Sequence, residues 1–528
     1  MKSKGKDLIT NFLEEKGVKE VFSVPGVHSI PLAESLLSRG IKIINARCER
    51  SLIFMADGYA RASKKTAIVV LTPGPGLCNS VLGCFEAFSS QVPILLIHMD
   101  TDRVEKEIGV LHELKEPERI FEGITKKIIR VTEPVKLFSS LENAFKETKR
   151  GRWGPVLVSI PFVLLEKDIK CDFQEEETEE KGEGPGEFCS KFKELMKEKK
   201  RPLIIAGSNV MIEAAKETFD RICMEGRIPL LTTTGGKGVV DERKPYAFGN
   251  VMQRGLVRRM LEEADIVIAV GTRLRDQDTK RRGIKFRNLV QLDVDGAWFN
   301  KNFKAALTFI GEPETLLDVL SEVLSGIKSD WRIDELKKTY REEIEKKREN
   351  LGFRVIETIR KAIPPETITV WDLSMLSYWA EYCFPVYEQR TFLISRGSST
   401  IFYGLPAAIG AKLAVPERPC LSVSGDGGIL PSIAELSTLT KYRVPVIVLI
   451  YNNLSFGILE RMMEKRYGFK GSMDLENPDF LKIAEAFGLK GARAKTEEEI
   501  LNILRKVNWD EPLVIEVSMP GFALPWEF

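Results

Sequence analysis

Gly425-Asp426-Gly427-Gly428 directly follows the apolar run Cys420–Ser424, and a second apolar run ends at Asn452-Asn453, roughly 24 residues after the glycines. If both runs are strands of one parallel sheet, their carboxyl ends share the edge where open α/β sheets bind ligands. Glycines let a ligand approach the backbone closely, and a helix beginning after Gly428 aims N–H groups at an anion. Asp426 and Asn453 add hard oxygen ligands of the kind Mg²⁺ prefers. Asp-Gly is also a common turn pair, and Asn-Asn a common loop. At these strand ends and this spacing, the combination outweighs either bland reading and predicts a site for a phosphate-bound Mg²⁺.

A second group of candidates lies in the first third of the chain. Asn45-Ala46-Arg47-Cys48-Glu49-Arg50 precedes Ala56-Asp57-Gly58-Tyr59-Ala60-Arg61. Alone, Glu49 reads as a first-turn glutamate favoured by the helix dipole. Val24-Pro25-Gly26 and Thr72-Pro73-Gly74-Pro75-Gly76 each follow an apolar run, and their glycines are compatible with simple turns. The three histidines, His28, His98 and His112, all fall in this region. Histidine titrates near neutrality, which suits proton transfer.

Taken together, these stretches resemble the thiamin-diphosphate family that contains acetolactate synthase, pyruvate decarboxylase, benzoylformate decarboxylase, benzaldehyde lyase and oxalyl-CoA decarboxylase. The match continues in Gly404-Leu405-Pro406-Ala407-Ala408-Ile409-Gly410-Ala411 and spans nearly the whole chain. The resemblance implies Asp426 and Asn453 as side-chain Mg²⁺ ligands, with the Ser455 carbonyl as the third protein ligand. It makes Glu49 the carboxyl that activates the cofactor's pyrimidine ring, although Cys48 stands where the family more often has histidine. It places Ile401 as the apolar wedge that bends the cofactor and gives the Ser399 carbonyl to its amino group. Pro25, Gly26, Thr72, Gly74, Gly425, Gly427, Gly428, Phe456, Gly457 and Ile458 complete the implied cofactor contacts. His28 is similar in position to an active-site histidine of benzaldehyde lyase, and His112 lies near the histidine pair of pyruvate decarboxylase, so both are candidates for proton transfer.

The implied activity is the making or breaking of a C–C bond next to a carbonyl, with decarboxylation of a 2-oxo acid through a C2 ylid and an enamine as first choice. Acetolactate-type carboligation and acyloin or 2-hydroxyacyl lyase action share that route, and a noncatalytic regulatory paralogue is the rival of another class. The substrate pattern is mixed. Leu459 replaces a catalytic glutamate of pyruvate decarboxylase, Thr72 replaces a histidine of benzoylformate decarboxylase, and no glutamine marks Leu111–Glu116. Val27, Phe456, Ile458, Leu459, Met462 and Met463 predict an apolar pocket, although helix core is the plain reading of the two methionines. By the resemblance, Gly207-Ser208-Asn209 and Gly271-Thr272-Arg273 follow strands and offer a place for FAD or ADP in the middle of the chain, with Asp293 or Asp295 near a ribose, while a vestigial scaffold domain is the alternative. The resemblance also implies a homodimer or homotetramer, the first domain of one copy facing the third domain of another.

Positioning these residues requires parallel sheets, and the sequence supplies three sets of alternating strand-like and helical runs. The first contains Val21–Val24, Ile41–Asn45, Ala67–Leu71, Ile94–His98 and Val156–Ile160. The second contains Leu203–Ala206, Pro229–Thr232, Ile266–Val270 and Leu289–Leu292. The third contains Ile368–Val370, Thr391–Ile394, Cys420–Ser424, Val446–Tyr451 and Leu513–Glu516. The fold expected is three doubly wound α/β domains: a pyrimidine-binding domain over 1–172, a central Rossmann-like domain over 190–328 and a diphosphate-binding domain over 353–528. A Glu-rich linker over 173–189 and a charged, solvated helix over 329–352 join them. At 528 residues the chain exceeds the size of a single core. A net charge of +2 gives no reason to expect nucleic acid or an acidic membrane, and 43% hydrophobic content describes a globular chain. The apolar runs are strand-sized and nothing resembles a signal peptide, which predicts a cytoplasmic protein with eight reduced cysteines. A small 2-oxo acid or aldehyde as its partner is what the resemblance implies.

Overall fold

The computed structural model describes residues 2–101, 108–170, 184–279 and 283–527. Cys171 and most of the predicted linker, 173–183, lie outside the described residues. Three six-stranded sheets form three α/β domains, and every pairing within them is parallel. A separate antiparallel pair, Lys2–Lys4 with Asp168–Lys170, ties the start of the first domain to its end.

The inner strands explain themselves. Ala67–Leu71, Ile266–Val270 and Pro202–Ala206 are buried along their whole length, as strands covered on both faces must be. The sequence pattern did not yield Lys127–Arg130, Ala247–Asn250, Leu307–Ile310 and Lys490–Ala494. All four lie at the edges of their sheets. Lys127–Arg130, Leu307–Ile310 and Lys490–Ala494 are partly exposed and need no continuous apolar run, whereas Ala247–Asn250 is buried but carries Gly249 and Asn250 and so does not read as one.

In the first domain the chain lays Glu20–Ser23 in the middle, places Lys42–Ile44 on one side, then crosses to Ala67–Leu71 on the other. The third domain repeats this with Ile368–Trp371, Phe392–Ile394 and Cys420–Gly425. The central domain reverses between Pro202–Ala206 and Ile266–Val270. Each reversal opens a crevice at the carboxyl ends of its strands. The loops bordering those crevices begin Val24-Pro25-Gly26, Thr72-Pro73-Gly74, Gly207-Ser208-Asn209, Gly271-Thr272-Arg273, Asp372-Leu373-Ser374 and Asp426-Gly427-Gly428.

The helix after the second strand of the first domain, Glu49–Ser63, packs on its counterpart in the third, Gly404–Ala414. A Cβ on Gly58 would lie 1.9 Å from the Ala407 carbonyl oxygen, and one on Gly410 would lie 1.8 Å from that of Met55. The two backbones therefore touch. One core runs through both domains, from Phe22, Phe54 and Met55 to Tyr403, Leu405 and Val448.

The central core reaches back into the predicted linker. Pro185–Met196 is a helix that buries Phe188 and Cys189, and this apolar pair is what draws the end of the 173–189 segment into the fold. Likewise the charged helix Ile333–Lys346 is not wholly solvated: Ile333 and Lys337 are buried, and Trp331 before it joins the central core. Among the described residues, no helix is long and apolar enough to cross a membrane.

Alanine at Gly58 or Gly410 meets a backbone oxygen that no rotamer change can move aside. Each substitution is expected to lower the unfolding free energy by about 2 kcal/mol or more in a denaturant titration. Parent-like midpoints would show that the helices can separate at little cost.

Candidate active site

Strand Cys420–Gly425 runs directly into the helical turn Asp426–Ile429. The helix thus starts at Asp426 rather than after Gly428, because extended Gly425 already serves as its N-cap. Asp426 is 2% exposed. Its Oδ1 accepts from the Gly427 N–H at 2.9 Å and its Oδ2 from Asn477 Nδ2 at 2.8 Å. Burial pushes the Asp426 carboxyl up, while the N–H groups of Gly427, Asn477, Leu454 and Ser455 pull it back.

The glycines here are steric necessities. A Cβ on Gly427 would lie 2.5 Å from the Phe456 ring, and one on Gly457 would lie 2.7 Å from Asn453 Nδ2. A Cβ on Gly428 would lie 2.9 Å from Asp372 Oδ2, with the Ile401 side chain 3.9 Å away. Leu454, at φ +56°, turns the chain after Asn453, and Ser455 bridges to Asp474 and is buried. Gly425, Asp426, Gly427, Gly428, Ile401, Asn453, Ser455, Phe456 and Gly457 are thereby gathered at one sheet edge. Ile458, beside them, packs on the core of the third domain.

Sequence reasoning missed three members of this cluster. Asn477 also donates to Asn452 at 3.0 Å and is left with a buried Oδ1 that has no partner. Asp372 is buried, accepts from the Phe402 and Tyr403 N–H groups at 3.3 Å, and is pushed up to about 7 by burial. Ser374 caps the helix Met375–Cys383 beside Gly425, so a second helix N-terminus converges on the same turn. An aspartate at the end of Ile368–Trp371, on the side of the sheet reversal facing Asp426, was the available signal for the last two. Nothing near Asn477 in sequence marked it.

Among the described residues, no group of three His, Cys, Asp or Glu side chains makes a self-sufficient metal cage. Asp426 instead offers one carboxylate beside amide and carbonyl oxygens, with the orphaned Asn477 Oδ1 close by. This hard, incomplete donor set fits Mg²⁺ held jointly with a phosphorylated ligand.

The first domain assembles its own candidates around Thr72. A Cβ on Gly26 would lie 2.5 Å from the Thr72 methyl, and one on Gly76 would lie 2.3 Å from its hydroxyl and 3.5 Å from Glu49 Oε1. Asn79 Nδ2 donates to Glu49 Oε2 at 3.1 Å. Leu52, Ile53 and Phe54 are wholly buried, whereas Glu49 is only partly so. The residues flanking Glu49 are fastened to the third domain: the Arg47 N–H donates to Glu435 at 3.0 Å, and Arg50 reaches the Pro431 carbonyl at 3.1 Å with its guanidinium over Phe402. Among the described residues, no hydrogen bond or ion pair joins Glu49 to the Asp426 cluster of its own chain.

His28 and His112 stand with ring centroids 5.6 Å apart, and Phe162 lies edge-on to His28. Gly74, at φ +61°, makes room: a Cβ there would be 3.0 Å from that of His112, itself at φ +68°. Both Nδ1 atoms are buried without a partner. Burial lowers the His28 pKa and the neighbouring His112 lowers it further, which favours the neutral imidazole. His98 is core, with Nδ1 3.1 Å from Ser159 Oγ. Ser399, at φ +53°, and Ile401 follow the third domain's second strand.

In the central domain, Gly207 abuts Gly271 so closely that a Cβ would lie 2.1 Å from its carbonyl oxygen. A cavity at this reversal is lined by Asn209, Thr234, Thr272, Arg273, Arg390 and Arg396. Burial lowers Arg273 to about 10, with Arg275 and Arg152 adding to the effect. Asp293, 1% exposed, accepts from Asn209 Nδ2 at 2.7 Å, and burial pushes it up to about 6. Asp295 caps the turn at Ala297.

Three parallel-sheet α/β domains with a glycine-rich crevice and a buried aspartate at the third sheet's reversal fit a class of enzymes that bind a phosphorylated cofactor. The chain belongs to the thiamine pyrophosphate enzyme family. Residues 3–118 match its N-terminal TPP binding domain, 189–320 its central domain and 372–517 its C-terminal TPP binding domain. A probable acetolactate synthase large subunit of Methanocaldococcus jannaschii is 30% identical over 99% of this chain and 93% of its own length. A probable 2-ketoarginine decarboxylase of Pseudomonas aeruginosa is 29% identical over 94% of this chain and 90% of its own. The acetolactate synthase of Bacillus subtilis is 26% identical over 98% and 94%.

Asp293 yields a pH test. Its raised folded-state pKa means that it stabilises the fold fully only below about pH 4 and loses that contribution as the pH rises through about 6. Asp293→Asn keeps Oδ1 for Asn209. It is expected to add on the order of 2 kcal/mol to the unfolding free energy at pH 8 and little at pH 3.5. An equal effect at both pH values would show that burial does not control this carboxyl.

Proposed function

We propose that this protein is a thiamin-diphosphate- and Mg²⁺-dependent enzyme that decarboxylates a 2-oxo acid. The observation that carries the reading is the Asp426 cluster: a buried carboxylate, an orphaned amide oxygen and three glycines without room for a side chain, all at one sheet reversal. In this reading Asp426, Asn453 and the Ser455 carbonyl hold Mg²⁺. Gly425, Gly427 and Gly428 admit the diphosphate. The Ser399 carbonyl and Ile401 set the cofactor's bend, with Phe456, Gly457 and Ile458 beside it.

When bound, thiamin diphosphate supplies a carbon nucleophile and an electron sink for cleaving the bond next to a carbonyl. Glu49 holds a proton against the pyrimidine ring, oriented by Asn79. Pro25, Gly26, Thr72 and Gly74 bring the first domain's backbone to the reacting centre. Neutral His28 accepts a proton at its free Nδ1, and His112 exchanges protons with it.

Val27, Leu459 and Met462 are 68%, 46% and 59% exposed, so Met462 is not helix core. In this reading Val27 of one copy and Phe456, Ile458, Leu459, Met462 and Met463 of another line an apolar wall for the substituent of the 2-oxo acid. The exposure of Val27, Leu459 and Met462 in a single chain also supports a homodimer or homotetramer, with Glu49 of one copy facing the Asp426 cluster of another. The relatives named acetolactate synthase favour a second fate of the same reaction, carboligation to a second carbonyl substrate. The arginine-lined central cavity favours an added FAD or ADP.

Purified protein is to be incubated with thiamin diphosphate, Mg²⁺ and pyruvate, branched or aromatic 2-oxo acids, with product analysis. Consumption is expected to rise from pyruvate to the larger acids, and Glu49→Ala to lose about 100-fold or more in turnover. Aldehyde as the product identifies a decarboxylase, and 2-hydroxyketone or 2-hydroxy-2-methyl-3-oxo acid a carboligase. A strict preference for pyruvate contradicts the apolar wall. Undiminished turnover in Glu49→Ala removes the assigned role of that residue, and cofactor binding without turnover favours acyl-CoA substrates or a noncatalytic paralogue.

A further inference from the structure

Glu86 lies near the end of the first domain's helix Pro75–Ser90 and is wholly buried, yet it belongs to none of the groups described above. Its Oε1 accepts from Ser90 Oγ (2.6 Å), Arg61 (3.1 Å) and the Gly397 N–H (3.2 Å). Its Oε2 accepts from Ser395 Oγ (2.9 Å), the Ser398 N–H (2.7 Å) and Ser398 Oγ (2.7 Å). Most of these donors sit in the third domain, on the segment 395–398. They precede Ser399 and Ile401, the residues assigned to the cofactor's bend.

That segment is under conformational demand. Ser399 and Phe402 both hold left-handed backbone angles, φ +53° and +78°, without being glycine. Beyond the bend, Asp372 accepts the Phe402 and Tyr403 N–H groups. Ahead of it, Ser395 Oγ accepts from the Thr400 N–H at 3.2 Å while donating to Glu86. One end of the segment is thus tied within its own domain, and the other is held by a carboxylate from a different domain. Gly397 completes the fit, since a Cβ there would lie 2.6 Å from Ser90 Oγ.

We propose that Glu86 is a positioning residue for the cofactor: by fixing the backbone of 395–398 across the domain boundary, it sets where the Ser399 carbonyl and the Ile401 side chain stand. The proposal rests on the assignment of those two residues under the proposed function. A structural role alone, as counter-ion to Arg61, is the competing explanation. Arg61 has a second carboxylate at hand, since Asp57 Oδ1 lies 2.7 Å from its Nε, and the counter-ion role gives no reason for the donors on 395–398.

The test compares the parent with Glu86→Gln and with a Ser395→Ala/Ser398→Ala double variant, which leaves Glu86 and Arg61 intact. Hydrogen exchange over 395–402 is measured without cofactor. Thiamin diphosphate affinity in the presence of Mg²⁺, the near-ultraviolet circular dichroism of the bound cofactor, kcat, KM and the unfolding midpoint follow. Both variants are expected to exchange faster over 395–402, to bind thiamin diphosphate about 10-fold more weakly, to show an altered dichroism band and to lose about 10-fold to 100-fold in kcat with KM for the 2-oxo acid unchanged. A lowered midpoint with parent-like affinity and dichroism would overturn the proposal in favour of the counter-ion role, as would parent-like values throughout. If Glu86→Gln does not fold, the double variant decides by the same readouts. Failure of the parent itself to bind thiamin diphosphate overturns the reading of the whole site and the proposal with it, whereas equal binding by parent and variants overturns the proposal alone.

Discussion

Backbone contact between the helices Glu49–Ser63 and Gly404–Ala414 is the constraint on which the arrangement depends. Gly58 against Ala407 and Gly410 against Met55 leave no room for a β-carbon on either side. Interiors are packed too densely to absorb such an intrusion without backbone movement. The first helix begins at Glu49 and the second follows Ile401 and Phe402 by a single residue. A shift at the crossing would therefore displace the candidate activating carboxylate and the candidate cofactor wedge relative to each other.

Buried charge reinforces this contact on its polar side. Tyr403 donates to Asp57 at 2.6 Å, and Arg61 lies between Asp57 and Glu86. Burial pushes the Asp57 carboxyl up, while the charge of Arg61 offsets the burial of Glu86 and holds it below the usual carboxylate range. Removing one member of such a cluster strands the others without solvent, although the intact cluster adds little net stability over apolar packing. Its contribution here is geometric, because Asp57 holds the Tyr403 hydroxyl and Glu86 holds Ser395 and Ser398 in place across the domain boundary.

Much of this was legible in the sequence because the governing rules are local. Apolar runs of strand length gave the inner strands, and glycines at their carboxyl ends marked the crevices. The resemblance of Gly425–Gly427 with Asn452-Asn453, and of the stretch around Glu49, led to the family that the comparisons show. Edge strands such as Lys490–Ala494 escaped because solvent replaces one neighbour and relaxes the apolar requirement. Asn477, Asp372 and Glu86 escaped for a different reason: their meaning lies in partners brought close only by folding. Asn477 meets Asp426 from 51 residues away, and Glu86 meets Ser398 from 312. The helix at the linker's end escaped because Phe188 and Cys189 are too few to stand out within a polar stretch; together with Phe192 and Met196 they fasten it to the central core.

The shared core also sets a timetable for biosynthesis. Leu52, Ile53, Phe54 and Met55 emerge early, but the helix that covers part of their face follows roughly 350 residues later, a wait of about 20–70 seconds at about 5–20 residues per second. During that interval the nascent first domain carries an apolar helix face with no partner in its own chain, a candidate surface for a chaperone or for misassociation with a neighbouring nascent chain.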